Sequence, residues 1–291
     1  MRSRAELLRT GAVALGVVAT IYLGLVAILL SLETGMVYAP EYSRRGMDTT
    51  VAERWARITV PTADGLRLDG VVASPASAPR ATVIYFHGNA ASIWSGQVRD
   101  KLIAYQRLGY RVVAVDYRGY GRNSGSPSES GLMRDGEAAI RYAVDSLHVP
   151  PDSLILHGMS LGSGLAAAMA VRHPPRLLIL DGAYTSLPDV AAEGFSGVPV
   201  HLLMRNRFNT LARLDSIHTP ILVVHAVNDE VIPFHFGETL AASTHSPTWF
   251  LHTAGGHVPG AFADPERFGW ALEGILTPPE ARDWGWWGPA P

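Results

Sequence analysis

A serine flanked by glycines carries the clearest chemical signal in the sequence. The segment Gly158-Met159-Ser160-Leu161-Gly162 follows the apolar run LILH and precedes the small-residue run LGSGLAAAMA. A strand, a sharp turn and a helix in that order expose a serine hydroxyl at the edge of a sheet, and Gly158 and Gly162 let the chain cross itself without a Cβ clash. We therefore predict that Ser160 is a nucleophile at an elbow; the alternative is a glycine-rich structural turn.

A serine nucleophile needs a base, and His257 is the best candidate among the eleven histidines. It lies on a glycine-bearing loop between the last predicted strand and the last predicted helix. His225 and His252 fall inside predicted strands, so we expect packed side chains there. His87 precedes the nucleophile, and we expect it to brace a turn.

The base needs a carboxylate to orient it, and Asp229 is the preferred candidate. It follows the apolar strand ILVVH, and the chain order Ser160, Asp229, His257 is the order of one large class of serine hydrolases. The neighbouring Glu230 and the more distant Asp181, at the end of strand LLIL, are the alternatives.

Two backbone N–H groups are expected to bind the oxyanion of such a reaction. Leu161 opens the helix after Ser160, where the helix dipole favours negative charge. Asn89 follows the strand TVIYF at the turn that supplies the second donor in comparable enzymes, with Ala90 as the alternative.

The elements that must position these residues alternate between short apolar runs and longer helical stretches. Eight strands are predicted, at 55–60, 67–73, 82–86, 111–115, 154–157, 177–180, 221–225 and 248–252. Five helices are predicted between or after them, at 93–108, 130–147, 161–172, 234–243 and 265–276. Continuously apolar strands indicate a mostly parallel sheet with helices on both faces, and the tight turn at 63–65 predicts an antiparallel hairpin at its edge.

One domain therefore extends over residues 53–276. Its long irregular stretch, at about 182–219, is predicted to be a flap over the site. Apolar side chains in that flap suit an acyl chain, although core packing of a short helix explains them equally well. A polar connector is predicted at 33–52, and a tail rich in Trp and Pro at 277–291.

The amino-terminal segment is predicted to be a transmembrane anchor. Residues 11–32 carry no charge and are long enough to cross a bilayer as a helix. A cleaved signal peptide and a buried core helix are the alternatives. Arg2, Arg4 and Arg9 precede the segment, so residues 1–10 are expected to be cytoplasmic and the domain extracytoplasmic.

The composition excludes several classes of protein. The chain has 291 residues, 47% of them hydrophobic, which is typical of a folded protein with a large core. Its 24 Lys and Arg are balanced by 26 Asp and Glu, so no nucleic-acid partner is expected. Cysteine is absent, and no metal-binding spacing is found, so neither a metal nor another cofactor is expected. The oligomeric state stays open.

These motifs together resemble the α/β-hydrolase fold. The most discriminating run is Asp116-Tyr117-Arg118-Gly119-Tyr120-Gly121, with Gly125-Ser126-Pro127-Ser128-Glu129 behind it. With the Ser160 elbow, His87-Gly88-Asn89 and Gly256-His257, it makes the chain similar, from about residue 38 to 276, to Bem46-like and ABHD13- and ABHD17-like serine hydrolases. The resemblance implies an amino-terminal membrane helix before a nearly lidless hydrolase domain.

The expected function is that of a membrane-anchored serine hydrolase. It would cleave carboxylic esters or thioesters of small-molecule or lipid-like acyl substrates through Ser160, His257 and Asp229 and an acyl-enzyme. Esterases, thioesterases and serine peptidases all occur in the family, so a peptidase or amidase is the alternative, with Glu193 as a candidate anchor for an amine. A membrane-tethered binding protein without activity is the alternative from another class.

Overall fold

The centre of the protein is a mixed eight-stranded sheet with the order β1-β2-β4-β3-β5-β6-β7-β8. The structure is a computed structural model that describes residues 4–45, 47 and 54–277. The strands are β1 (Ala56–Pro61), β2 (Arg67–Ala73), β3 (Thr82–Phe86), β4 (Arg111–Val115), β5 (Leu154–Met159), β6 (Leu177–Asp181), β7 (Ile221–Ala226) and β8 (Thr248–Thr253). The predicted α/β-hydrolase sheet of eight strands, mostly parallel, is confirmed.

The antiparallel part of the sheet lies at one edge. β1 and β2 form the predicted hairpin, with Pro61 opposite Arg67. β2 is also antiparallel to β4, whereas all pairs from β4 to β8 are parallel. The central strands β3, β5, β6 and β7 are buried throughout, as continuously apolar sequences require when both faces are covered.

Helices cover both faces. After the amino-terminal α1 (Arg4–Tyr38) and α2 (Pro40–Ser43), the chain forms α3 (Gly96–Arg107), α4 (Glu129–Arg141), α5 (Leu161–Arg172), α6 (Leu187–Gly194), α7 (Val200–Leu203), α8 (His235–Ala242) and α9 (Pro265–Leu276). Buried residues of α3 and α9 share one core cluster with the sheet, and those of α4, α5 and α8 share the other. The predicted helix at 130–147 is shorter than expected, because a wide turn at Tyr142–Ser146 replaces its last part.

The amino-terminal helix continues beyond the predicted anchor. The prediction of a connector from residue 33 is wrong for its first part, since α1 runs unbroken to Tyr38. Ala39, with a φ of 44°, then turns the chain into α2. The helix does not end at Glu33 because its carboxylate is buried against the domain instead of facing water. Residues 1–3, 46, 48–53 and 278–291, which include six residues of the predicted connector and nearly all of the Trp-rich tail, lie outside the described residues.

The predicted flap contains α6, α7 and a short 3₁₀ helix at Leu211–Ser216. It is tied to the amino-terminal helix. Glu33 Oε1 accepts the backbone N–H groups of Arg205 and Asn206 at 3.0 and 2.9 Å. Tyr38 Oη donates to Asn206 Oδ1 at 2.6 Å. These contacts make the last two turns of α1 a part of the folded domain.

Candidate active site

The carboxyl ends of the parallel strands gather the predicted site residues at one edge of the sheet. Asn89 follows β3, Ser160 follows β5, Asp229 follows β7 and His257 follows β8. Ligand sites of open α/β sheets lie at this edge, because loops from several strands meet there. The topology therefore brings into one region residues that are far apart along the chain.

Ser160 occupies the sharp turn between β5 and α5. Its φ of 51° and ψ of −121° are strained for a residue with a Cβ atom. A Cβ at Gly158 would overlap the Gly162 backbone, and one at Gly162 would overlap the Phe86 carbonyl. Both glycines are thus required for the close crossing of strand and helix, as the sequence predicts for a nucleophile elbow.

His257 and Asp229 are in direct contact. His257 Nδ1 donates to Asp229 Oδ2 at 2.7 Å, and both side chains are almost completely buried. Asp229 Oδ1 accepts the N–H groups of Val231 and Ile232 at 2.9 and 2.7 Å. Burial acts to raise the pKa of Asp229, but the hydrogen bond from His257 and those two backbone donors outweigh it and hold the pKa below its usual value. An ionised Asp229 keeps the proton of His257 on Nδ1, which leaves Nε2 to accept one.

The two alternative carboxylates have other partners. Glu230 Oε2 accepts the backbone N–H of His257 at 3.0 Å, so it holds the main chain of this residue instead of the imidazole. Asp181 accepts the N–H of Ala261 and lies 3.3 Å from His157 Nε2. Of the three candidate acids, it is Asp229 that contacts the imidazole of His257.

Ser160 and His257 both approach the backbone segment 181–182. The Ser160 N–H donates to the Asp181 carbonyl at 2.8 Å. A Cβ on the next residue, Gly182, would lie 2.9 Å from Cε1 of His257. Among the hydrogen bonds of the described residues, none joins Ser160 Oγ to His257. The structure therefore joins Asp229 to His257 directly, and among the described residues it shows no hydrogen bond between the imidazole and the serine hydroxyl.

The two predicted oxyanion donors border the same cavity as Ser160. Asn89 and Leu161 both line it. Leu161 is the first residue of α5, where an N–H has no partner within the helix. The alternative donor, the N–H of Ala90, is directed to the Tyr38 carbonyl at 3.3 Å. The geometry thus favours Asn89 over Ala90.

The cavity at Ser160 is almost entirely apolar. Its volume is about 220 Å³, against the roughly 30 Å³ that one water molecule takes in the liquid, so it can hold an organic group. One wall is the face of α1 that contains Val26, Leu30 and Val37. The opposite wall comes from the flap, with Phe195, Val198, Val200, Leu203 and Met204 among its side chains. The apolar flap residues therefore line a cavity instead of only packing a core.

A buried lysine beneath the site has no counterpart among the sequence predictions. Lys101, on α3, is 4% exposed. Its Nζ donates to the carbonyls of Val258 and Pro259 at 2.8 and 3.1 Å and lies 2.9 Å from Sδ of Met159. It therefore ties the residue before Ser160 to the residues after His257. Its helix pattern gives no sign of this, because a lysine on an amphipathic helix is expected in solvent.

A second buried group extends from Tyr105 to Asp181. The Tyr105 hydroxyl lies 2.6 Å from His157 Nδ1, and His157 Nε2 lies 3.3 Å from Asp181. Burial lowers the pKa of His157, although the Asp181 carboxylate opposes that effect. A neutral His157 accepts from Tyr105 and donates to Asp181, so it holds the end of β6 in place. Within the described ranges, no group of three or more His, Asp or Glu side chains is placed to hold a metal ion.

His87 and the Asp116–Gly121 run brace the loops below the site, as predicted. His87 is fully buried, with Nδ1 2.8 Å from the Gly88 carbonyl and Nε2 3.3 Å from Asp116. Asp116 also accepts from Ser92 Oγ at 2.7 Å. The Tyr117 hydroxyl donates to the His87 carbonyl at 2.8 Å. These bonds fix the loop that carries Asn89.

Comparison with known proteins gives matches over most of the chain. The family model described as alpha/beta hydrolase fold matches residues 81–197. An uncharacterised protein of Mycobacterium tuberculosis is 32% identical over 246 residues, which cover 83% of this chain and 86% of that protein. Protein bem46 of Schizosaccharomyces pombe is 29% identical over 67% of this chain and 68% of its own. Lysophosphatidylserine lipase ABHD12 of Danio rerio is 33% identical over 54% of this chain and 46% of its own.

Solved structures agree on the fold. A hydrolase from Vibrio vulnificus superposes with a TM-score of 0.67 at 23% identity and covers 84% of this chain and 91% of its own. The esterase Pf2001 of Pyrococcus furiosus superposes with a TM-score of 0.63 at 19% identity, over 79% of this chain and 95% of its own. With the strand order, the elbow at Ser160 and these relatives in agreement, the chain belongs to the α/β-hydrolase family, among its Bem46- and ABHD-like members.

Proposed function

We propose that this chain is a membrane-anchored serine hydrolase that cleaves carboxylic esters or thioesters of long acyl chains. The observation that carries the proposal is the apolar cavity that begins at Ser160 and is lined by Asn89 and Leu161 at the same end. An acyl chain needs an apolar site, while its carbonyl carbon needs a nucleophile and its carbonyl oxygen needs donors.

In the first half of the reaction, Ser160 Oγ attacks the carbonyl carbon and its proton moves to His257 Nε2. Asp229 stabilises the imidazolium through Nδ1. The backbone N–H groups of Asn89 and Leu161 hold the oxyanion. The tetrahedral intermediate then collapses, the C–O or C–S bond to the leaving group breaks, and His257 protonates that group as it departs.

In the second half, water hydrolyses the acyl-enzyme. His257 accepts a proton from the water, whose oxygen bonds to the acyl carbon. The bond to Ser160 Oγ breaks, the serine regains the proton, and the carboxylic acid leaves. No redox change occurs in either half, so the cycle needs no cofactor.

The proposal includes the membrane anchor and its direction. Within the described part of the chain, α1 is the helix long and apolar enough to cross a bilayer. Arg2, Arg4 and Arg9 lie before its apolar run, and Arg44 and Arg45 are the first basic residues after it. The positive-inside rule then supports a cytoplasmic amino terminus and an extracytoplasmic hydrolase domain.

A peptidase on the same residues has less support. Glu193, the candidate anchor for an amine, is half-exposed and lies 3.5 Å from His235, and it does not line the cavity at Ser160. A cleft for peptides would need such an anchor beside the nucleophile. The described cavity offers apolar surface there instead.

A panel of p-nitrophenyl esters of graded acyl length and of aminoacyl anilides tests the reaction class. We expect ester turnover to exceed anilide turnover, and kcat/KM to rise with acyl length. Each methylene buried in the cavity contributes about 0.8 kcal/mol, or about fourfold in kcat/KM. Faster turnover of the anilides would favour a peptidase over an esterase. A kcat/KM that does not change with acyl length would exclude the cavity as the binding site of the acyl chain.

Lys101→Met tests whether the buried lysine acts on catalysis by positioning His257. Burial lowers the pKa of Lys101, and the charge of Asp181 opposes this effect. Burying the ammonium therefore costs desolvation free energy, which a methionine at this position would not cost. We expect little change in the free energy of unfolding. We expect kcat to fall by about ten- to a hundredfold with KM retained, because a small displacement of the base is costly.

The control for this variant is Arg107→Met on the exposed side of the same helix, which should alter neither quantity. An unchanged kcat in Lys101→Met would refute the positioning role. A parallel loss of stability and activity would assign Lys101 a purely structural role.

A further inference from the structure

The exposed run of the amino-terminal helix is too short to cross a bilayer alone. From Gly11 to Leu25 every residue is exposed, but these fifteen residues span only about 22 Å of helix. A hydrocarbon core is about 30 Å thick. The missing length must come from the part of α1 beyond Leu25, where one face of the helix lies against the domain.

The flap accompanies α1 along that part. Tyr22 Oη donates to the Gly197 carbonyl at 2.8 Å, so the flap reaches the helix within its exposed run, about one turn before Val26. Val26 is 8% exposed and faces the cavity, whereas its neighbour Leu25 is 57% exposed. The Val26 face thus contacts the protein while the opposite face of α1 stays uncovered.

The composition of the flap changes at the depth where the hydrocarbon would end. Twenty residues of helix from Gly11 span about 30 Å and end at Leu30. The Arg205 guanidinium donates to the Leu30 carbonyl at 2.9 Å, and its side chain is 72% exposed. The ten residues before it, 195–204, contain no Lys, Arg, Asp or Glu, and Leu202 among them is 81% exposed. We call residues 195–204 the flap tip.

We infer that the flap tip lies in the hydrocarbon region beside α1, so that the cavity opens to the lipid and takes the acyl chain of a membrane-resident lipid ester. The inference rests on the proposed function for the anchor and for Ser160. The cavity follows α1 from Val26 to Val37, about 16 Å of helix, from the flap tip to the site. A lipid can therefore reach Ser160 without exposing its acyl chain to water, which would cost about 0.8 kcal/mol per methylene.

Single cysteines test the position of the flap tip, because the chain contains none of its own. The full chain is reconstituted in phosphatidylcholine vesicles with an environment-sensitive fluorophore on Leu202→Cys, and acyl-chain nitroxide lipids are added as quenchers. Val17→Cys, on the exposed part of α1, is the positive control, and Trp270→Cys, exposed on α9, is the control for a water-facing site. We expect quenching at 202 close to that at 17 and severalfold above that at 270.

The outcomes separate the inference from its premises. Quenching at 17 but not at 202 overturns the inference and leaves the anchor in place. No quenching at 17 refutes the anchor itself, and with it the inference. If the chain without substitutions has no esterase activity, the proposed function is refuted, whatever the fluorescence shows.

Blocking the outer end of the cavity tests the route of the acyl chain. Val26→Trp should lower kcat/KM for a long-chain ester in vesicles by about tenfold or more while a short-chain ester is turned over as before. Leu25→Trp, on the exposed face of the same turn, should change neither. Val198→Trp narrows the same end from the flap side and serves if Val26→Trp fails to fold. An equal loss of kcat/KM with both esters, or no loss with either, would contradict this route for the acyl chain.

Discussion

Replacing Ser160 by alanine is expected to lower kcat for the best p-nitrophenyl ester by about a millionfold. A triad acts as a unit, so removal of its nucleophile removes nearly all of the catalysis that the three residues supply together. The same variant should no longer react with a fluorophosphonate, which forms a covalent bond with an activated serine. The measurements are steady-state kinetics of the purified full-length chain and in-gel detection of the labelled band.

Ser163→Ala is the matched control for this variant. Ser163 lies one turn along α5, and its hydroxyl donates to the Ser160 carbonyl at 2.6 Å. It is fully buried and outside the cavity, so labelling should persist without it. Labelling that survives in Ser160→Ala would remove Ser160 from the mechanism and leave the fold as the sole link to hydrolysis.

Asp229→Asn is expected to lower kcat by about ten thousandfold with a much smaller effect on KM. The amide oxygen of asparagine can still accept from Val231 and Ile232, so the turn after β7 survives. Its NH₂ group then faces His257 Nδ1 as a donor, which favours the tautomer with the proton on Nε2. That tautomer cannot accept the proton of Ser160, and the loss is of this order where a triad aspartate is changed in this way.

Glu230→Gln provides the comparison, because glutamine retains an oxygen for the His257 N–H. It should lose far less activity than Asp229→Asn. Equal losses in the two variants would mean that the loop as a whole matters more than the contact between the Asp229 carboxylate and the imidazole. A near-normal kcat in Asp229→Asn would contradict the role of Asp229 directly.

The same substitution carries a pH signature in stability. Asp229 has a lowered pKa in the folded chain, so its carboxylate stabilises the fold at pH values above its unfolded pKa of about 3.9, and that contribution is lost as the pH falls through the folded value. We therefore expect Asp229→Asn to lower Tm at neutral pH. The difference from the unaltered chain should shrink in acid, which thermal unfolding at several pH values would measure.

Most of the fold could be predicted from local patterns. The bounds of β2, β3, β4, α5 and α9 agree with the expected ranges, because continuous apolar runs and glycine or proline boundaries are local properties of the sequence. The start of the connector was harder to predict. Glu33 is a charged residue after an apolar run, and such a residue normally ends a membrane helix. Its burial against Arg205 and Asn206 depends on residues more than 170 positions away.

Local sequence is enough to show which residue types are available for chemistry. The elbow around Ser160 requires its two glycines for steric reasons that act within five residues, and the chain order of Ser160, Asp229 and His257 followed from the order of strands. Local patterns do not separate Asp229 from Glu230 and Asp181, because what distinguishes them is which carboxylate reaches the imidazole across the loops after β7 and β8, and in the fold that is Asp229. Tertiary structure also turned Lys101 inwards and made α1 a wall of the cavity, since burial and contact between distant segments are properties of packing that no local pattern encodes.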